Sequence, residues 1–114
     1  MPVFLAVIAA LVAGCSLARL ETASTDSGVR FAFQAPHAKK VAVVADFNHW
    51  DRNKDLLDGP DKNGYWTKTI PLAEGRYEYL FLIDGKEWTT DPAALSVDDG
   101  LGGRNSVISV TKKE

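Results

Sequence analysis

The chain has 114 residues, with 13 Lys and Arg against 15 Asp and Glu, a formal net charge of −2. That length accommodates one hydrophobic core of roughly 85–100 residues and excludes a (β/α)₈ catalytic barrel of about 250. The near-neutral balance leaves no electrostatic footprint for nucleic acid. One Cys with two His is too little for an internal disulfide or a closed zinc site, so no metal or other cofactor is expected.

Residues 1–14 carry no charged side chain, and Val3 to Ala13 is an unbroken apolar run. As a helix it would span about 16 Å, against about 30 Å of bilayer hydrocarbon, which suits the apolar region of an export signal. Val12-Ala13-Gly14-Cys15 resembles a bacterial lipobox, with Val12 where leucine is usual and no Lys or Arg ahead of the run. The alternatives are a plain secretion signal with an incidental cysteine, or a buried N-terminal strand or helix. The lipobox implies that Cys15 is acylated and anchors the chain to a bacterial membrane. Ser16 in place of a retention aspartate favours the outer membrane. On this reading 1–14 is the signal, 15–28 a small, polar tether, and 29–114 the folded domain.

From Val29 onward the dominant period is two. Val29, Phe31 and Phe33 form one inward row; Val41, Val43 and Ala45 form another. After the turn-rich stretch Asp58 to Gly64, the spacing predicts a strand over Tyr65–Ile70 with Trp66 and Ile70 on its core face. Tyr77, Tyr79, Phe81 and Ile83 make the longest alternation. Asp84-Gly85 then signals a hairpin, with Lys86–Thr89 as the returning strand. Asp91-Pro92 opens a glycine-rich loop, and Val107, Ile108 and Val110 close the domain. Six or seven short strands without a helical stripe predict an all-β, immunoglobulin-like antiparallel sandwich.

Catalytic motifs are missing from this pattern. Glu74 and Glu78 flank a turn and a strand start, where solvated charge is the ordinary explanation. No serine sits in a nucleophile elbow, and Gly100-Leu101-Gly102-Gly103 precedes a strand where a phosphate loop needs a helix. Asp51, Asn53 and Asp55 alternate like calcium ligands, but Leu56 and Lys62 occupy the positions where an EF-hand loop requires glycine and glutamate. His37 and His49 have no partner at ligand spacing.

The tryptophans carry more information. Trp66 belongs to the core row, whereas Trp50 and Trp88 stand at strand–turn edges among Asn, Asp, Lys and Thr. Such rings either cap the end of a sandwich or present flat apolar faces on which a pyranose stacks.

Around these residues run Val43-Val44-Ala45-Asp46-Phe47-Asn48-His49-Trp50, Gly64-Tyr65-Trp66, Leu72 to Tyr79, Phe81-Leu82-Ile83-Asp84-Gly85, Trp88-Thr89-Thr90-Asp91-Pro92 and Asn105 to Val110. In order and spacing, residues 41–110 resemble carbohydrate-binding module family 48. That family includes the glycogen-binding domain of the AMP-activated protein kinase β subunit and the early-set modules of isoamylases and branching enzymes. The resemblance implies binding of α-1,4-glucans, with Trp50 and Trp88 clamping the glucan, Leu101 reaching through its ring and Asn105 bonding its hydroxyls. Two positions depart from the pattern: Leu80 replaces a sugar-binding lysine, and Gly103 replaces a threonine. Lys86 and Arg104 are the nearby candidates to substitute for the lost charge. Because the family's catalysis resides in a separate barrel, the expected function is non-catalytic glucan binding by a membrane-anchored lipoprotein. The alternative is an envelope protein-interaction module on the same scaffold, its sugar site lost.

Overall fold

The computed structural model describes residues 19–111. The 1–14 signal and the lipidation candidate Cys15 lie outside the described residues. Eight strands follow in chain order: β1 (Ala23–Thr25), β2 (Gly28–Gln34), β3 (Val41–Ala45), β4 (Tyr65–Ile70), β5 (Gly75–Ile83), β6 (Glu87–Thr89), β7 (Leu95–Asp98) and β8 (Arg104–Val110). A 3₁₀ turn, Asp46–Asn48, follows β3.

Every pairing is antiparallel. One sheet has the order β1-β2-β4; the other has β3-β5-β8-β7, with β6 also on β5. The layers meet through the period-two rows, since alternate strand residues point to one face. Val29 and Phe31 of β2 and Trp66 and Ile70 of β4 face Val41, Val43 and Ala45 of β3 and Tyr79 and Phe81 of β5. Aromatic rings bridge the layers, with Phe31 edge-on to Tyr79 at 5.0 Å and Phe33 tilted on Phe81 at 4.8 Å. The Trp66 indole donates to the Ala35 carbonyl at 2.9 Å, so its polar edge is satisfied within the core. This is the immunoglobulin-like sandwich expected from the alternation.

Three features differ from the sequence reading. Thr22 and β1 join the sheet, so the later part of the 15–28 stretch read as tether, from Thr22 on, is already part of the fold: the Thr22 hydroxyl accepts from the Ala32 N–H at 3.1 Å, and Ala23 to Thr25 pair with β2. β7 forms within the segment read as a glycine-rich loop, because β8 supplies its pairing partner. β3, read as one inward row, is buried on both faces. The loop after Trp50 returns along its free edge, bonding Leu57 N–H to the Val41 carbonyl at 2.8 Å and Val43 N–H to the Asp55 carbonyl at 3.0 Å. Ala42, Val44 and Leu82 make a small second core on the opposite face of the sheet from the main one.

The Asp84-Gly85 turn forms as predicted, with positive φ at both residues and Lys86 N–H bonded to the Ile83 carbonyl at 3.0 Å. That geometry matches the strand twist and sends the chain back as β6.

Candidate functional site

The outer face of the five-stranded sheet carries Leu80, Trp88 and Asn105, while Trp50 and Leu101 stand on loops outside the strands. On one edge of β5, β8 pairs as far as Tyr79 and β6 takes over at Phe81. Leu80 lies at the changeover, where the two partners diverge and a groove opens. Leu80, Trp88, Thr89, Thr90, Asp99, Gly103 and Arg104 line it. Both positions that depart from the family pattern, Leu80 and Gly103, are therefore in the groove that holds Trp88. Arg104 is engaged elsewhere: its Nε donates to Ser96 Oγ at 2.8 Å and its Nη2 to the Ser96 carbonyl at 2.7 Å.

Trp88 pairs across the strand with Leu82 and is 44% exposed. Trp50, 41% exposed, is not among the groove residues, but its loop reaches the groove wall through Arg52. The Arg52 guanidinium carbon lies 5.4 Å from the Trp88 ring centroid, a cation–π contact that ties the two tryptophan-bearing segments together.

Backbone geometry sets the position of Trp50. His49 and Trp50 have φ of 61° and 58°, a left-handed conformation that costs a residue with a Cβ roughly 1–2 kcal/mol. Buried Asn48 enforces it: Oδ1 accepts from the Ala45 N–H at 2.9 Å, and Nδ2 donates to the Val43 carbonyl at 3.0 Å and to Asp55 Oδ2 at 2.8 Å. Asp55 in turn pairs with Lys68 at 3.3 Å. The carboxylate weighed as a calcium ligand thus serves as a brace for the loop. Because His49 is exposed, His49→Gly should relieve strain at no packing cost. It should raise unfolding free energy by about 1 kcal/mol and Tm by about 4–8 °C, read by thermal and urea denaturation.

Leu101, 91% exposed, tops the β7–β8 hairpin. Asp99 shapes this tip, its Oδ1 accepting the N–H groups of Leu101 at 2.7 Å and Gly103 at 2.9 Å. Those two amides hold its carboxyl below the usual carboxylate range. Asn105 sits at the hairpin's root, next to Ser106, the partner of Tyr79. Its Nδ2 donates to Glu78 Oε1 at 3.1 Å. Glu78, read from sequence as a solvated charge, is thus part of this face. Arg52, Glu78 and Asp99 were missed because each acts through a neighbour; the local signal was strongest for Asp99, an Asp before a Gly-rich turn.

The sequence model of the family described as the glycogen recognition site of AMP-activated protein kinase matches residues 28–114. Curated relatives are similar to this chain over much of the same region. The 1,4-alpha-glucan branching enzyme GlgB of Protochlamydia amoebophila (strain UWE25) is 37% identical over 82 residues, covering 68% of this chain and 11% of the enzyme. The enzyme of the same name from Shewanella sp. (strain MR-4) is 35% identical over 75 residues, covering 62% of this chain and 10% of the enzyme. That of Bacillus cereus (strain AH820) is 39% identical over 67 residues, or 59% and 10%. The chain spans about a tenth of the length of these relatives. Sequence match and sandwich fold agree: the chain belongs to the glycogen-recognition-site family of AMP-activated protein kinase.

Proposed function

We propose that this chain binds α-1,4-glucans without acting on them, the sugar chain stacking on Trp50 and Trp88 with Leu101 and Asn105 completing the contact. One observation carries the reading: two half-exposed indoles on neighbouring segments, coupled through Arg52, beside a groove floored by Leu80. The C–H faces of pyranose rings match flat apolar surfaces, while Asn105, Thr89 and Thr90 offer partners for hydroxyls. With two stacking rings and an apolar Leu80, affinity for a maltooligosaccharide should fall on the order of micromolar to millimolar.

Native electrophoresis in gels containing glycogen tests this. The wild-type chain should be retarded. Trp50→Ala and Trp88→Ala should each weaken binding about tenfold, and the double variant should migrate as if glycogen were absent. Migration of the wild type unchanged by glycogen would refute the reading.

The same proposal places the module at a bacterial envelope, anchored by acylated Cys15 at the outer membrane, with imported maltodextrin, external starch or an envelope glucan as ligand. Mass spectrometry finding unmodified Cys15 in the membrane fraction would overturn the anchor alone. A second reading, a protein-interaction module, draws on β7, an edge strand carrying Leu95 at 83% exposure. A stoichiometric partner captured from solubilised membranes, together with no glucan affinity, would favour it.

A further inference from the structure

We propose that Glu78 is a positioning residue for glucan binding: its carboxylate selects the orientation of the Asn105 amide. This rests on the glucan-binding reading above.

The sheet register puts the two side chains together. Glu78 stands opposite Val107, and Asn105 lies two residues earlier on the same face of β8, the diagonal position within reach across an antiparallel pair. The contact, Asn105 Nδ2 to Glu78 Oε1 at 3.1 Å, is the one side-chain hydrogen bond that Asn105 makes among the described residues. An asparagine amide has a donor end and an acceptor end. Facing a carboxylate, only the donor end bonds, since turning Oδ1 inward would set acceptor against acceptor. Charged Glu78 therefore holds Nδ2 inward and leaves Oδ1 and the second Nδ2 hydrogen for a ligand. A sugar is offered a fixed acceptor at this point, suited to receiving a hydroxyl proton. Protonated Glu78 has an O–H of its own that Oδ1 can accept, so the amide is free to turn over and the acceptor is lost.

The surroundings keep the carboxylate charged. On β5, Arg76 Nη1 donates to Glu78 Oε2 at 3.0 Å. Asp99 of the β7–β8 hairpin faces it with opposing effect, and Asp46 of the 3₁₀ turn accepts the Glu78 backbone N–H through Oδ2 at 3.0 Å. The Asn105 bond first, and Arg76 second, hold the Glu78 carboxyl below its ordinary value of 4.5. A lowered value means the arrangement is complete above pH 4.5 and fails as pH falls through the lower folded-state value.

The test uses the full chain, maltoheptaose as probe, and three forms of residue 78. Wild type should bind with constant affinity from pH 7 down to about 5 and lose affinity in more acid solution. Glu78→Ala frees the amide and should bind about fivefold more weakly at pH 7. Glu78→Gln can bond Asn105 either way round. It should bind only about twofold more weakly and show none of the acid-side loss of the wild type, a difference that a purely structural role would not produce. In ¹⁵N spectra the Asn105 side-chain amide should shift with the Glu78 titration in wild type and be flat in Glu78→Gln. Equal affinity of Glu78→Ala and wild type at pH 7, or an Asn105 amide indifferent to pH, would overturn the proposal. A wild type that binds no maltoheptaose sinks the glucan reading and this role with it, whereas a binding wild type with an equally tight Glu78→Ala sinks only the positioning role.

Discussion

Replacing Asn48 by alanine should lower the unfolding free energy by about 3 kcal/mol and remove glucan binding together with it. The side chain is 1% exposed and makes three hydrogen bonds, to Ala45 N–H, the Val43 carbonyl and Asp55 Oδ2. Alanine leaves a buried N–H and a buried carbonyl unpaired, and takes one donor from a carboxylate that is 9% exposed. Each lost pairing costs roughly 1 kcal/mol, more for the charged partner. The functional loss follows from geometry. The two left-handed residues that aim Trp50 are held by Asn48 on one side and by the Trp50 N–H to Ala45 carbonyl bond of 2.8 Å on the other. Urea unfolding monitored by tryptophan fluorescence gives the stability, and a destabilisation below about 1 kcal/mol would show that Asn48 is not the brace described.

Tyr79→Phe should destabilise the fold by about 2–3 kcal/mol although it removes a single oxygen. The Tyr79 hydroxyl donates to Asp91 Oδ2 at 2.7 Å, and both residues are buried. Asp91 is committed elsewhere too: Oδ1 accepts the Ala93 N–H at 2.9 Å, and its own N–H donates to Ser106 Oγ at 2.7 Å. Phenylalanine would fill the same space and keep the contact with Phe31, but the carboxylate would lose its charge-assisted partner. Alkaline pH gives a second readout. Burial, with the neighbouring Asp91 charge, pushes the Tyr79 hydroxyl far above its ordinary value of 10.0. The unfolded chain releases this proton from about pH 10 upward while the folded chain retains it. Stability is therefore full below pH 10 and falls as pH rises beyond it. Tyr79→Phe should be less stable at neutral pH yet lose that part of the alkaline decline. Parallel stability curves for the two proteins between pH 9 and 11 would contradict this account.

Much of the fold was legible along the chain. The inner rows of β2, β4 and β5 could be read from alternation because one face of each strand is buried and the side-chain period is two. Asp84-Gly85 announced its hairpin because few residue pairs tolerate positive φ at both positions. β1 and β7 were not legible. They are short edge strands of mixed composition, and their order comes from the partner beside them, which no local window contains. β3 misled differently: Val-Ala-Val-Val-Ala is buried on both faces, with Val41, Val43 and Ala45 in the main core and Ala42 and Val44 clustered with Leu82 of β5.

The sequence alone determined the family, the sandwich and which tryptophan belongs to the core, since each is written in local pattern or in ordered motifs. Only the tertiary structure decided what holds the candidate site. The stacking of Arg52 on Trp88, the grip of Glu78 on Asn105 and the Asp55–Lys68 pair behind Asn48 join residues far apart in the chain. The reason is physical: periodicity records which face of a strand is buried, whereas a contact between strands depends on register and on loops folding back, and these exist only once the sheets have packed.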